Sequence, residues 1–191
     1  KLLVAPFYAY DGMNEHGLCA MVTGINSVKV SPKEDQESLF IGYIVRKLLD
    51  HSKTVDEAIM LVGNYIPFDL SLTQINCHFF VSDASGKSVI LEYQDNEWKK
   101  SYPTKNWQVM TNNVIKDVPD TQLRKKCWRY GTISGLLDKT NGDVNRNEGM
   151  ELLKNVSQDG TTWSVIYLPN SNEIYFSVYQ SWDKIYHIQD L

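Results

Sequence analysis

The stretch YDGMNEHGLCAMVTGI, Tyr10 to Ile25, decides how this chain is read. Its first half is a run of small and polar residues with glycines at 12 and 17. Its second half, LCAMVTGI, is mostly apolar and bounded by glycine, which suits a buried strand. A turn that leads straight into a buried strand so early raises the question of what normally precedes it.

Working outward, SPKEDQ (Ser31–Gln36) is a polar connection. Apolar residues at Leu39, Phe40, Ile44, Val45, Leu48 and Leu49 then predict a helix over Glu37–Leu49. Thr54 and Glu57 form an S/T-x-x-E capping pattern that opens a second helix through Val62. CHFFVSD and SVILEYQ flank ASGK, which predicts a hairpin with Gly86 in its turn. Further strands are predicted near Trp98–Ser101 and Val109–Thr111, the second ending in Asn112-Asn113. Thr121–Leu137 reads as one helix with Cys127, Tyr130, Ile133, Leu136 and Leu137 inward, and Asn147–Val156 as a shorter one. TWSVIYL, EIYFSVY and KIYHI close the chain as three strands. Strand, helices, strands, helices, strands is an α+β order. It suits two sheets packed face to face with helices grouped outside.

At 191 residues, with no internal repeat or linker, the chain is expected to be a single domain over 1–191. A net charge of −4 argues against nucleic acid or an anionic membrane as partner. No apolar run approaches the 18 residues or so of a spanning helix. The first residue is Lys1, so the chain is expected to begin inside a longer reading frame or after cleavage. Cys19, Cys77 and Cys127 are too few and too irregular for a disulfide framework or a zinc site. A reducing interior is therefore expected, and Asn155-Val156-Ser157 as a lone glycosylation sequon carries little weight against it.

The residues that bear chemistry are few. Each cysteine reads as a small buried hydrophobe, and Cys77 and its neighbour His78 must point to opposite faces of their strand. The four histidines, His16, His51, His78 and His187, are scattered, and no metal-ligand spacing or phosphate loop is present, so no metal and no cofactor are expected. Asn112 follows the apolar strand QVMT, where its amide can donate to a developing oxyanion or close a turn on its own backbone. Arg129, between Trp128 and Tyr130, can pair with a carboxylate or hold a substrate group, or lie on the surface.

Taken together, the motifs go further. DGMNEHGL (Asp11–Leu18) resembles the D-G-M-N-E-K-G-L segment of the choloylglycine hydrolase and penicillin V acylase family. LLDHSKTVDEAIMLV, HFFVSDASGKSVILEY, VMTNN, WRYGTISGLL and TTWSVIYLPNSNEIYFSVYQ resemble further segments of that family, in order, from about Tyr8 to Ile188. The resemblance implies an N-terminal-nucleophile αββα sandwich of two antiparallel sheets, here incomplete at its N-terminus. It also implies a linear-amide hydrolase whose nucleophile is an N-terminal Cys in the strands before D-G-M-N-E, hence upstream of this chain. By position, Asn112 matches the family's oxyanion-hole Asn, and Arg129 its helix Arg near the nucleophile. A substrate-binding Asn falls at Thr23 without a gap or at Asn26 with a two-residue insertion.

The expected partner is a small N-acyl amide such as a conjugated bile acid or a penicillin V type molecule. A homo-oligomer is expected, as is a bacterial cytoplasmic location, with secretion the alternative. Trp163, where bile-salt enzymes often carry a polar or smaller aromatic residue, tilts the substrate away from bile acids. Two other readings stay open: a non-catalytic acyl- or sterol-binding module, and an acyltransferase.

Overall fold

The computed structural model describes residues 8–29, 37–68 and 74–189. The opening segment folds as β1 (Asp11–Met13), a turn, and the long β2 (Cys19–Lys29). These pair antiparallel with β5 (Gln74–Ser82), β6 (Ser88–Gln94) and β7 (Glu97–Ser101) in the order β1-β2-β5-β6-β7. The predicted hairpin is β5–β6, and Gly86 takes φ +84° in its turn, a conformation that costs glycine little.

The two predicted helices become α1 (Ile41–His51) and α2 (Val55–Val62). Thr54 caps α2 as its motif foretold, accepting the Glu57 N–H, while Glu57 reaches back to the Lys53 N–H at 2.7 Å. Ile44, Val45, Leu48, Val55 and Ala58 press onto Leu18, Ala20, Phe79, Val81, Val89 and Leu91 of the sheet, all fully or nearly fully buried. This is the main core. The first four residues of the predicted first helix are instead β3 (Glu37–Phe40), paired parallel with β4 (Tyr65–Phe68). Backbone pairing with a segment over twenty residues away, and the edge-to-face contact of Phe40 on Phe68, override a periodicity that fits either structure.

A second sheet follows from the tail: β8 (Trp163–Leu168), β9 (Glu173–Val178) and β10 (Tyr186–Ile188), ordered β10-β9-β8. Between the sheets in sequence lie α3 (Asp120–Lys126), α4 (Trp128–Thr140) and α5 (Arg146–Asn155). The single helix expected over Thr121–Leu137 is thus broken at Cys127, whose φ −132°, ψ 109° are extended. The flanking bonds Cys127 N–H to Leu123 O and Gly131 N–H to Cys127 O persist, so the break is a corner. It lets Leu123, Cys127 and Tyr130 share one small cluster with Val109. The strand expected at Val109–Thr111 is absent. Side chains hold that segment in place of a ladder: Gln108 accepts from Ser88 Oγ at 2.8 Å and donates to Ser101 O at 2.7 Å.

The layer order follows from alternation along the strands. On β8, Tyr167 reaches Asp11 of the first sheet while Ile166 lies against Gly149 of α5. On β2, Ala20 faces α1 and α2, so Cys19 and Met21 face the second sheet. The sequence of layers is helices, sheet, sheet, helix, the αββα arrangement that was expected.

The DGMNEHGL segment is the clasp of this stack. Asp11 accepts Trp163 Nε1–H at 2.6 Å and Tyr167 O–H at 2.8 Å, tying β1 to β8. Asn14 donates to the Leu49 and Ser52 carbonyls at the end of α1 and accepts the Leu18 and His16 N–H groups. Gly17, at φ +74°, closes against the Pro169 carbonyl, where a Cβ would come within 2.8 Å. Asn14→Ala is expected to cost about 2–3 kcal/mol, because it strands buried backbone groups on both sides. Thermal unfolding checks this; a change under about 0.5 kcal/mol would remove the clasp from the account.

Asp83 plays a similar part for the hairpin. Burial alone would push its carboxyl up, but bonds from the Ser85 hydroxyl and the Val55 and Ser85 N–H groups prevail and hold it below the ordinary carboxylate value. A depressed carboxylate stabilises the fold above its unfolded pKa, about 3.9, and loses that contribution as pH falls through its folded value. Asp83→Asn is therefore expected to lower the urea midpoint at pH 7 and to flatten its decline below about pH 4. Parallel pH profiles for the two proteins would refute this.

Candidate active site

Antiparallel register places Thr23 opposite His78, and His78 opposite Glu92. Their neighbours Val22, Phe79 and Leu91 turn into the helical core, so this polar row lies on the sheet's other face. His78 and Glu92 are completely buried, His78 Nδ1 lying 3.0 Å from Glu92 Oε1. Desolvating such a pair is costly unless its remaining hydrogen-bonding positions are filled, and here they are. His78 Nε2 meets the Thr111 carbonyl at 2.8 Å. Glu92 Oε1 and Oε2 accept the N–H groups of Ile115 and Lys116 at 2.9 and 2.6 Å.

That row carries the segment holding Asn112. Its side chain reaches over β2, the amide nitrogen donating to Thr23 Oγ1 at 3.0 Å and to the Gly24 carbonyl at 2.7 Å. Its own oxygen accepts from Arg129 Nη2 at 2.7 Å. Arg129 stands in the first turn of α4, so the corner at Cys127 is what aims the guanidinium. By fixing which end of the amide is oxygen, Arg129 presents the N–H pair toward the β2 rim. Asn112 is solvent-exposed and Arg129 half-buried, which leaves this amide accessible.

Three of the four residues singled out from the sequence, Thr23, Asn112 and Arg129, therefore meet in one hydrogen-bonded cluster. The side chain of Asn26 lies outside the described residues. Its backbone belongs to the irregular stretch of β2 between the pairs Gly24–Cys77 and Val28–Ile75, where three β2 residues oppose one of β5. Such a bulge re-aims side chains at a sheet rim.

His78 and Glu92 were missed from the sequence, although a signal was present. A hairpin turning at Gly86 pairs Ser82 with Ser88 and so sets position 78 against 92, two titratable residues each flanked by less polar neighbours, Cys77 and Phe79 on β5 and Leu91 and Tyr93 on β6.

The cysteines stay interior, as read: all three are buried. Burial pushes the Cys19 thiol up to about 12, against a weaker lowering by a Ser82 hydrogen bond, so it is inert as a nucleophile. At Cys127 burial raises the thiol, but the Tyr130 N–H, the Thr111 hydroxyl and the Arg129 charge outweigh it and hold the group below its usual value. Among the described residues, no three His, Cys, Asp or Glu side chains gather into a metal site, and no helix is long and apolar enough to cross a membrane.

This fold has known counterparts. Residues 2–126, more than half of the chain, match the linear amide C–N hydrolases of the choloylglycine hydrolase family. The chain belongs to that family. Over 118 residues it is 33% identical to a penicillin V acylase of Pectobacterium atrosepticum, a match covering 56% of this chain and 31% of that protein. The fold superposes on a penicillin V acylase of Agrobacterium tumefaciens with TM-score 0.74 at 22% identity, covering 96% of this chain and 66% of that one. A variant of the conjugated bile acid hydrolase of Clostridium perfringens gives 0.68 at 17% identity, covering 95% and 73%. The chain thus spans about two thirds of the length of these structural neighbours, and its match to the Pectobacterium protein covers about a third of that protein.

Proposed function

We propose that this chain is the oxyanion-binding part of a cysteine N-terminal-nucleophile amidohydrolase, acting on a small N-acyl amide of the penicillin V or conjugated bile acid type. The nucleophile is a Cys exposed as the mature N-terminus, in a segment ahead of Lys1. What carries this reading is the accessible Asn112 amide, oriented by Arg129 and resting on Thr23. None of the three cysteines here competes for the role, since all are internal to the chain and buried.

In this mechanism the thiol gives its proton to the free α-amine, whose ordinary pKa near 8 suits a base at neutral pH, as its sulfur attacks the amide carbonyl carbon. The carbonyl oxygen becomes an oxyanion and takes the Asn112 N–H now spent on Thr23 Oγ1. That exchange of a neutral acceptor for an anionic one is favourable in the transition state. Protonated by the α-ammonium, the amine leaves. A thioester remains, which water cleaves to release the acid and restore the thiol. The two-residue excess of β2 at Gly24–Val28 is what an insertion would leave, which supports Asn26 over Thr23 as the substrate contact.

Intact-mass analysis of the protein from its source, joined to an assay with penicillin V and glycine-conjugated cholate, tests the reading. A mature N-terminal Cys, with turnover by that protein and none by the 191-residue chain alone, is the expected result. Another mature N-terminus, or hydrolysis by the chain alone, overturns it.

A further inference from the structure

We propose that His78 and Glu92 are positioning residues that fix Asn112 for oxyanion binding, an inference that rests on the reading of Asn112 given above. The chain from Thr111 to Lys116 has no β-ladder to hold it. The buried pair grips it at both ends instead. His78 Nε2 holds the Thr111 carbonyl just before Asn112, and the Glu92 carboxylate holds the Ile115 and Lys116 N–H groups just after it. The Nδ1–Oε1 bond joins the two grips. Asn112 is therefore the crest of a short loop whose feet stand on one rigid hairpin.

The pair's location supports a role beyond packing. Both side chains are fully buried, yet both lie on the face away from the main core, in the same cross-strand row as Thr23. Apolar side chains of similar volume would fill this space without the desolvation cost. What they lack is direction: they cannot hold a carbonyl at one end and two N–H groups at the other. An oxyanion donor has to stand within a few tenths of an ångström of its place, and displacement by about 1 Å removes up to about a hundredfold in rate.

The test uses the complete protein and whichever of penicillin V or glycine-conjugated cholate it turns over. His78→Asn keeps an N–H where Nδ1 stood and loses the grip on Thr111. It is expected to lower kcat by about 10- to 100-fold with KM within about threefold. His78→Gln, whose amide reaches the Nε2 position, is expected to recover at least part of that loss. Glu92→Gln, of unchanged volume, serves should the histidine variants fail to fold, with an expected loss of about tenfold or more. In an Asn112→Ala background each of these changes is expected to cost under about twofold more, since a positioning residue has nothing left to position.

Losses that multiply independently of Asn112→Ala, or equal losses in the Asn and Gln variants, overturn the proposal. An Asn112→Ala change without effect defeats the oxyanion reading itself. A crystal structure of His78→Asn then judges the grip without reference to activity. The β5–β6 register is expected to be kept with the Thr111–Lys116 loop displaced by about 1 Å. An unmoved loop overturns the inference.

Discussion

Replacing Asn112 by alanine in the complete protein is expected to lower kcat by about 10²–10³, or roughly 3–4 kcal/mol of transition-state stabilisation, with little change in KM. The Asn112 amide offers two hydrogens, one to the Gly24 carbonyl and one to Thr23 Oγ1. The substrate's neutral carbonyl competes poorly with that hydroxyl, whereas the oxyanion competes well, so the bond is gained chiefly in the transition state. Stability is expected to change little, because the side chain is exposed and its neighbours can turn to water. Steady-state kinetics alongside thermal unfolding separate the two effects. Turnover within about threefold of wild type would remove Asn112 from the mechanism.

Phe79→Ala is expected to have the largest effect on stability, about 3–5 kcal/mol, out of a typical total of 5–15. Phe79 is 1% exposed. It meets the edge of Trp98 at 5.7 Å between ring centres and lies in the core between α1, α2 and the five-stranded sheet. Neither side can collapse into the space left behind, because rigid strands form one wall and helices the other. The measurement is urea denaturation; a shift below about 1 kcal/mol would mean that the site repacks. The contrast with His78, one residue earlier on the same strand, is instructive. Period-two alternation sends Phe79 to the helices and His78 to the Asn112 loop. Adjacent substitutions are therefore expected to fail in different ways, one through stability and the other through rate.

Features carried by local chemistry were legible in the sequence. The Thr54–Glu57 cap, the hairpin at Gly86 and the closing strands each follow from residues near one another in the chain, so periodicity and turn residues suffice. The motif order from Asp11 to the tail also placed the chain in its family and pointed to Thr23, Asn112 and Arg129.

The failures share a cause as well. Glu37–Phe40 is a strand because of its partner at Tyr65–Phe68, and a helix stripe and a short apolar strand look alike over four residues. The corner at Cys127 interrupts a continuous apolar period, because facing Val109 and aiming Arg129 are tertiary demands. Val109–Thr111 has the composition of a strand, but side chains take the place of ladder partners.

The sequence by itself determined the Thr54 cap and the turn at Gly86, since each depends on residues close together in the chain, while the layers and Asn112 were reached through the order of the family's motifs. Only the tertiary structure decided what holds that amide. His78 and Glu92 lie fourteen residues apart, and the backbone they grip begins 33 residues beyond His78. Their roles come from burial and cross-strand register, physical quantities that belong to the folded sheet and to no single stretch of chain.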